Sequence, residues 1–214
     1  MRIKFIIIII VIIFIAFLGW LFWASTRPLP GEKLPDLGRE HIEIGKEVTY
    51  NSNPPTSGSH YVDWVRAGVY TELKDDRNLV HSLEHGYVVM SYRCTSSVIA
   101  TPSEATPEAG EARGKQSQTE VEIATSASGE TRNDDTEECN QRKAQLEEIY
   151  NKKGKKKLIV VARPNLDTNF AVTAWNYLDK FDPSTSSGLS DFDVKRIEKF
   201  IDAHRDNGPE RTME

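Results

Sequence analysis

An unbroken apolar run near the N-terminus constrains this chain more than any other feature. Residues 5–24 contain no charged side chain and consist mainly of Ile, Val, Phe and Leu. At a helical rise of about 1.5 Å per residue the run spans about 30 Å, the thickness of the hydrocarbon core of a bilayer. A buried helix of a soluble protein normally has a polar face, which this run lacks. We therefore predict one transmembrane helix over residues 5–24.

The residues that flank the run predict its fate and its orientation. The apolar region of a cleaved signal peptide usually has about 7 to 15 residues and is followed by small residues, whereas this longer run ends beside Trp20 and Trp23. Arg2 and Lys4 precede it, so the positive-inside rule places residues 1–4 in the cytoplasm. We expect a retained single-pass anchor in the cell membrane, with the rest of the chain outside the cytoplasm.

The sequence after the anchor is long enough for one domain and is acidic. Residues 25–38 are rich in Pro and Gly and predict a stalk, residues 39–210 the extracytoplasmic domain, and residues 211–214 a tail. The formal charge of -5 includes three cationic residues in or beside the anchor, so the remainder carries -8. This acidic balance argues against a nucleic-acid partner.

A segment of different composition separates the two cysteines, Cys94 and Cys139. Residues 95–138 contain no aromatic residue and carry ten acidic against three basic side chains. With so little apolar surface, the segment cannot offset the conformational entropy lost on ordering. We therefore predict a disordered insertion over residues 95–138.

The hydrophobic pattern around this insertion predicts a βαβ-like order. Residues 87–92 and 158–162 are apolar runs typical of buried strands, and residues 140–151 place Leu146 and Ile149 on one helical face. We predict an α/β or α+β fold with a small mixed sheet, preceded by the one transmembrane helix.

Four further elements are predicted from local signals. Alternating apolar residues over 42–50 favour an edge strand or hairpin, and residues 79–85 favour a short helix that Gly86 terminates. A helix is expected to begin at Asp167 or Thr168, and a last helix follows the N-cap residue Ser190.

Three histidines form the candidate chemical site. His81 and His85 are four residues apart and share a face if their segment is helical, with Glu84 beside them. His60 lies in the turn-rich loop of residues 51–61 and can reach the same site. Because three imidazoles can hold zinc or copper, we predict a transition-metal site formed by His60, His81 and His85.

The other histidines and one methionine are assigned lesser roles. Met90 or Glu84 is expected near the predicted metal site. His41 is expected to be solvated, and His204 to be packed or stabilised by the dipole at a helix C-terminus.

Other functions remain open at this point. The His-Ser-Leu-Glu-His segment matches the H-x-x-E-H pattern of one zinc-peptidase group, although Gly86 follows it too closely for the long helix of those enzymes. Cys94 and Cys139 suit a structural disulfide better than a thiol–disulfide active site. A purely structural or partner-binding domain is the third possibility. We therefore favour a metal-binding module over an enzyme and assign no catalytic residue.

Two motifs carry a family resemblance. The run Asn-Ser-Asn-Pro-Pro-Thr-Ser-Gly-Ser-His over residues 51–60 and the run Leu-Val-His-Ser-Leu-Glu-His-Gly over residues 79–86 resemble the prokaryotic family catalogued as domain of unknown function 3105. The resemblance covers most of residues 40–210 and implies an N-terminal membrane anchor, but no activity. It also implies closely spaced cysteines, so the 44 residues between Cys94 and Cys139 look like an insertion.

Overall fold

The computed structural model describes residues 2–26, 28–94, 131–185, 188–210 and 212. The chain divides into two compact units, Met1–Pro30 and Gly31–Glu214. In the first unit, helix α1 (Arg2–Ser25) contains the span Lys4–Trp23, which is long and apolar enough to cross a membrane. The predicted helix over residues 5–24 is confirmed in length and composition.

The second unit, as far as it is described, contains a six-stranded sheet and three helices. The strands are β1 (Glu32–Lys33), β2 (Gly68–Val69), β3 (Val88–Tyr92), β4 (Leu158–Ala162), β5 (Phe170–Ala174) and β6 (Tyr177–Phe181). The helices are α2 (Asp76–Glu84), α3 (Thr131–Lys152) and α4 (Asp191–His204). In the order β1-β6-β5-β3-β4-β2, strands β2, β4 and β3 are parallel and the other pairs antiparallel. The predicted mixed sheet is confirmed, and the fold is α+β.

Helices cover both faces of the central strands. Val88 and Met90 of β3 pack in one apolar cluster with residues of α3 and α4, whereas Val89 packs in another with residues of α2. Strands that are buried on both faces are apolar throughout, which explains the runs over residues 87–92 and 158–162. The predicted βαβ unit is confirmed. Strand β3 precedes α3 in the chain and β4 follows it, and the two strands pair in parallel.

The helix predicted from Asp167 or Thr168 is wrong, because this segment forms the antiparallel hairpin of β5 and β6. Phe170, Val172 and Ala174 alternate toward one apolar cluster, as strand residues do. Asn176 has a φ of 63° in the turn between the strands, a conformation that Asn tolerates better than most residues.

The edge strand predicted over residues 42–50 is also absent from the described structure. Only an isolated bridge joins His41 to His60, and Gly45 follows shortly with a φ of 91°. The apolar alternation was misleading because Ile44 is 83% exposed rather than packed.

Two predicted boundaries differ from the structure. Helix α3 begins at Thr131 rather than near residue 140, so residues 131–138 of the predicted insertion are helical. The rest of the insertion, residues 95–130, lies outside the described residues. The predicted stalk also contributes to the sheet, because β1 pairs with β6.

Candidate metal centre

Helix α2 places three chemically active side chains on its last turn and C-cap. Its N-cap Asp75 accepts a hydrogen bond from the backbone of Arg77. Gly86, with a φ of 79°, ends the helix and donates to Leu83 O at 2.9 Å, while Tyr87 N donates to Ser82 O at 3.1 Å. This Schellman ending stops α2 immediately after the segment that carries the two histidines and the glutamate.

The loop of residues 51–60 is tightly held and presents a buried histidine. Gly58 N donates to Gly38 O at 2.9 Å, and the Tyr50 hydroxyl donates to Ser59 O at 2.8 Å. Gly58 has a φ of 126°, and a Cβ there would lie 3.1 Å from the Tyr50 ring, so the close packing favours glycine. The loop ends on His60, which is 0% exposed.

A short backbone pairing adds a second histidine beside His60. Ile42 N donates to His60 O at 2.9 Å, and His60 N donates to Glu40 O at 3.0 Å. This pairing places the His41 ring 4.9 Å from the His60 ring and 4.9 Å from the His81 ring, centroid to centroid. The His41 side chain is 45% exposed, so it lies at the solvent side of the group.

Four of these residues form a group that could hold a metal ion. One ligand atom from each of His41, His60, His81 and Glu84 lies within 4.8 Å of the others. Glu84 Oε2 lies 2.9 Å from His60 Nε2 and 4.0 Å from His41 Nε2. Arg39, a mostly exposed residue, approaches the other oxygen of Glu84 at 3.8 Å.

His85 adjoins this group through His81. The two Nε2 atoms are 3.1 Å apart and the ring centroids 4.5 Å. Its ring also packs against Trp64 at 4.8 Å, and Glu210 Oε2 lies 3.8 Å from its Nε2. His85 Nδ1 is buried and has no hydrogen-bond partner among the described residues. Of the three histidines predicted from sequence, His60 and His81 thus lie in the four-residue group and His85 lies against it.

Backbone carbonyls fix the orientation of the two central rings. His60 Nδ1 lies 2.7 Å from Gly58 O, and His81 Nδ1 lies 2.7 Å from Tyr61 O. A carbonyl oxygen only accepts, so both Nδ1 atoms carry the proton. In a neutral ring the Nε2 atom therefore carries a lone pair. The Nε2 of His60 faces Glu84, and the Nε2 of His81 faces His85.

The surroundings disfavour the charged forms of these groups. Burial lowers the pKa of His60 and is also the main cause of the lowered pKa of His81, to which the neighbouring His85 adds. Burial raises the pKa of Glu84, and the nearby Glu210 raises it further. The 2.9 Å contact between His60 Nε2 and Glu84 Oε2 therefore joins two groups whose neutral forms are favoured by burial.

The neighbours of the predicted site agree with the expectation only in part. His41 was expected to be solvated, yet it joins the group although it remains partly exposed. Of the two neighbours expected in the alternative, Glu84 lies in the group, as predicted, whereas Met90 packs on the α3 and α4 face of the sheet. Glu210 near the C-terminus, whose carboxylate lies 3.8 Å from His85 Nε2, carries no local motif that would predict this position. His204 is packed, as expected, with its ring 4.3 Å from Tyr177 and 4.4 Å from Phe200.

The two cysteines form a disulfide, as predicted. The Cα atoms of Cys94 and Cys139 are 5.2 Å apart. Both residues belong to the apolar cluster on the α3 and α4 face, opposite the face covered by α2. The disulfide therefore links β3 to α3 as a structural bridge rather than as part of the histidine centre.

Fold and site together define an α+β domain with a group of three histidines and one glutamate that could hold a metal. The family model described as "Protein of unknown function (DUF3105)" matches residues 41–103. The family resemblance inferred from the motifs is confirmed over this stretch, which begins at His41 and contains the whole group. Comparisons with curated proteins and with solved structures gave no match.

Proposed function

We propose that this protein is a membrane-anchored, extracytoplasmic domain that binds zinc or copper at the histidine centre. The observation that carries the proposal is the orientation of His60 and His81. Each ring donates Nδ1–H to a backbone carbonyl, which leaves a bare Nε2 that faces Glu84 in the case of His60 and His85 in the case of His81. Metal-bound histidines are typically held in this way, because the hydrogen bond fixes both the tautomer and the ring.

The donor set suits a transition metal better than calcium or magnesium. Imidazole nitrogen is a common ligand of zinc and copper, whereas calcium and magnesium need several oxygen ligands. Here three imidazoles accompany one carboxylate, Glu84. Metal binding requires neutral imidazoles and an ionised carboxylate, so the lowered pKa values of His60 and His81 favour it and the raised pKa of Glu84 opposes it.

Five donors are available when His85 is included. Ligand nitrogens of a tetrahedral zinc lie about 3.3 Å apart, given Zn–N distances of about 2.0–2.1 Å. The 3.1 Å between His81 Nε2 and His85 Nε2 is close to that value. We therefore assign two overlapping sets that share His60, His81 and Glu84: an inner set completed by His85, as predicted from the sequence, and an outer set completed by His41.

The location follows from the ends of the apolar helix and from the disulfide. Arg2 and Lys4 lie on the short side of the span, so the positive-inside rule directs the second unit out of the cytoplasm. A structural disulfide between Cys94 and Cys139 suits an oxidising compartment outside the cytoplasm. Both observations support an anchor over residues 5–24 with the domain outside.

The proposal is tested on the full chain purified in detergent. After chelator treatment and dialysis, the protein is loaded with zinc or copper, and bound metal is counted by elemental analysis. Trp64 packs against His85, so quenching of its fluorescence by copper provides a second readout. We expect one metal per chain and a higher thermal midpoint with metal than without.

Two variants separate the site from adventitious binding. His81→Ala removes a ligand common to both sets and should abolish binding. His204→Ala is the control, because its ring packs on Tyr177 and Phe200 instead. If the unaltered chain binds neither metal, or if both variants bind alike, the histidine centre has a structural role and the proposal is wrong.

A further inference from the structure

We infer that the groove beside His41 docks a second protein that exchanges metal with the centre, and that this partner presents an apolar surface with basic side chains. This inference rests on the proposed function, because it concerns how the same site is loaded and emptied.

Among the described donors, burial leaves only His41 open to solvent. The side chains of His60 and Glu84 are 0% and 3% exposed, and His81 and His85 are each 4% exposed. His41, at 45%, is the accessible donor of the set. A metal that passes between two proteins is transferred by replacing one ligand at a time, so the two sites must meet at an accessible ligand. That contact has to form over His41.

His41 forms one wall of a groove of about 520 Å³. Ile44 and Val62 also line the groove and are 83% and 62% exposed. Exposed aliphatic side chains that line one concave surface favour an interaction site. Because these side chains line the same groove as His41, a partner that packs on them also reaches the accessible ligand.

One lining residue of the groove, Tyr61, is bonded directly to a second ligand. The Tyr61 hydroxyl accepts a hydrogen bond from Gly45 N at 2.9 Å and so holds the turn that carries Ile44. The carbonyl of the same Tyr61 lies 2.7 Å from His81 Nδ1 and orients that ring. A partner that presses on the groove therefore contacts a residue that positions a metal ligand.

Charge defines the chemistry of the partner. Glu43 and Asp63 line the groove, and among its described lining residues there is no lysine or arginine. An apolar centre with an acidic rim fits a surface in which aliphatic side chains are flanked by lysine or arginine.

The test follows the loss of zinc from the full chain, loaded with one zinc in a neutral detergent. The probes are two synthetic helical peptides, each with a pair of histidines four residues apart and flanked by leucines. One peptide carries lysines on its remaining positions and the other carries glutamates. Ethylenediaminetetraacetate serves as a small acceptor that needs no docking surface.

We expect the lysine peptide to remove zinc about 10-fold faster or more than the glutamate peptide, the lower end of the range for electrostatic steering. The double variant Ile44→Asn/Val62→Asn should abolish this difference while leaving the rate with ethylenediaminetetraacetate unchanged. Phe192→Asn is the matched control, because Phe192 is 70% exposed on α4, which packs on the other face of the sheet.

The outcomes separate this inference from the proposed function. If the chain takes up no zinc, the proposed function is wrong and the docking surface falls with it. If the chain takes up zinc but the two peptides act at equal rates, or the double variant slows the small chelator as much as the lysine peptide, the metal centre stands and the docking surface is refuted.

Discussion

The ammonium group of Lys157 donates a hydrogen bond to the carbonyl oxygen of His85 at 3.0 Å. It also donates to Thr212 O at 2.9 Å and lies 3.0 Å from Asp206 Oδ1. The side chain is 2% exposed, and its three N–H donors match these three oxygens. Lys157 thus joins the C-terminal segment to the end of helix α2 that carries the candidate ligands.

We predict that Lys157→Met destabilises the domain. The substitution keeps the apolar stem but leaves a buried carbonyl of His85 without its donor, which should lower the free energy of unfolding by about 1–3 kcal/mol. Urea denaturation at neutral pH measures the change. Metal affinity should also fall, because the end of α2 is held less firmly.

The adjacent Lys156 supplies the control for this prediction. Its ammonium group lies 3.6 Å from Asp206, but its side chain is 53% exposed. Lys156→Met should therefore change the free energy of unfolding by no more than about 0.5 kcal/mol. Equal effects of the two substitutions would contradict a specific role for Lys157.

We predict that Gly208 is required by close packing. A Cβ at Gly208 would lie 2.1 Å from Glu84 O and 2.3 Å from Gly86 N, both backbone atoms of the α2 ending. Gly208→Ala should displace the C-terminal segment. We expect it to lower the free energy of unfolding by about 1–3 kcal/mol or more, the range typical of overpacking.

Gly154→Ala is the comparison for Gly208→Ala. Gly154 has a φ of 81°, and a Cβ at this position would have no described atom within 4 Å. Only backbone strain therefore opposes the substitution. That strain costs about 1–2 kcal/mol. In paired urea titrations Gly208→Ala should be the more damaging change and should also weaken metal binding, whereas Gly154→Ala should leave binding intact. Loss of binding in both would contradict the prediction.

Elements with a strong periodic pattern were predictable, whereas contacts between distant segments were not. Ser190 was identified as an N-cap, and in the structure it forms a capping box with Asp193. Gly86 was identified as a helix stop for a similar local reason. His41 was missed because it reaches the centre through a pairing with His60, nineteen positions along the chain, and no local motif specifies such a bridge.

The hairpin of β5 and β6 was misassigned because its residues are compatible with both periodicities. Ala171, Ala174, Trp175 and Leu178 fit one helical face, yet Val172 and Thr173 favour a strand. The strand conformation is adopted because β5 pairs antiparallel with β3 and so satisfies the backbone hydrogen bonds on that side of β3. Short apolar segments of this kind take the conformation that the neighbouring strand offers.

We predict that the disulfide stabilises the domain substantially. The bridge joins residues 45 positions apart, and closing a loop of this length should contribute about 4 kcal/mol in the chain-entropy model. Replacing both Cys94 and Cys139 with Ser should lower the midpoint of guanidinium unfolding accordingly. The unaltered chain should show no free thiol without reductant, and a measured loss below about 1 kcal/mol would contradict this account.

The last prediction concerns the pH dependence of the metal-free protein. Burial lowers the pKa values of His60 and His81 below their ordinary value of 6.5. Below that pH the unfolded chain binds protons that the folded protein does not, so the free energy of unfolding falls as the pH falls. Each group can contribute at most about 1.4 kcal/mol per pH unit.

Glu84 acts in the opposite sense, and this provides the test. Its pKa is raised above the ordinary value of 4.5, so between the two values the folded protein binds the extra proton and gains stability as the pH falls. Glu84→Gln removes this gain, while its amide can still donate to His60 Nε2. Urea unfolding between about pH 7.5 and 5 should therefore show a steeper loss of stability in Glu84→Gln than in the unaltered protein.

The control is Glu47→Gln, at an exposed carboxyl outside the histidine group. Its free energy of unfolding should change with pH at the same slope as that of the unaltered protein. A Glu84→Gln slope equal to or shallower than that of the unaltered protein would show that Glu84 is already ionised, and that His60 carries the proton between them.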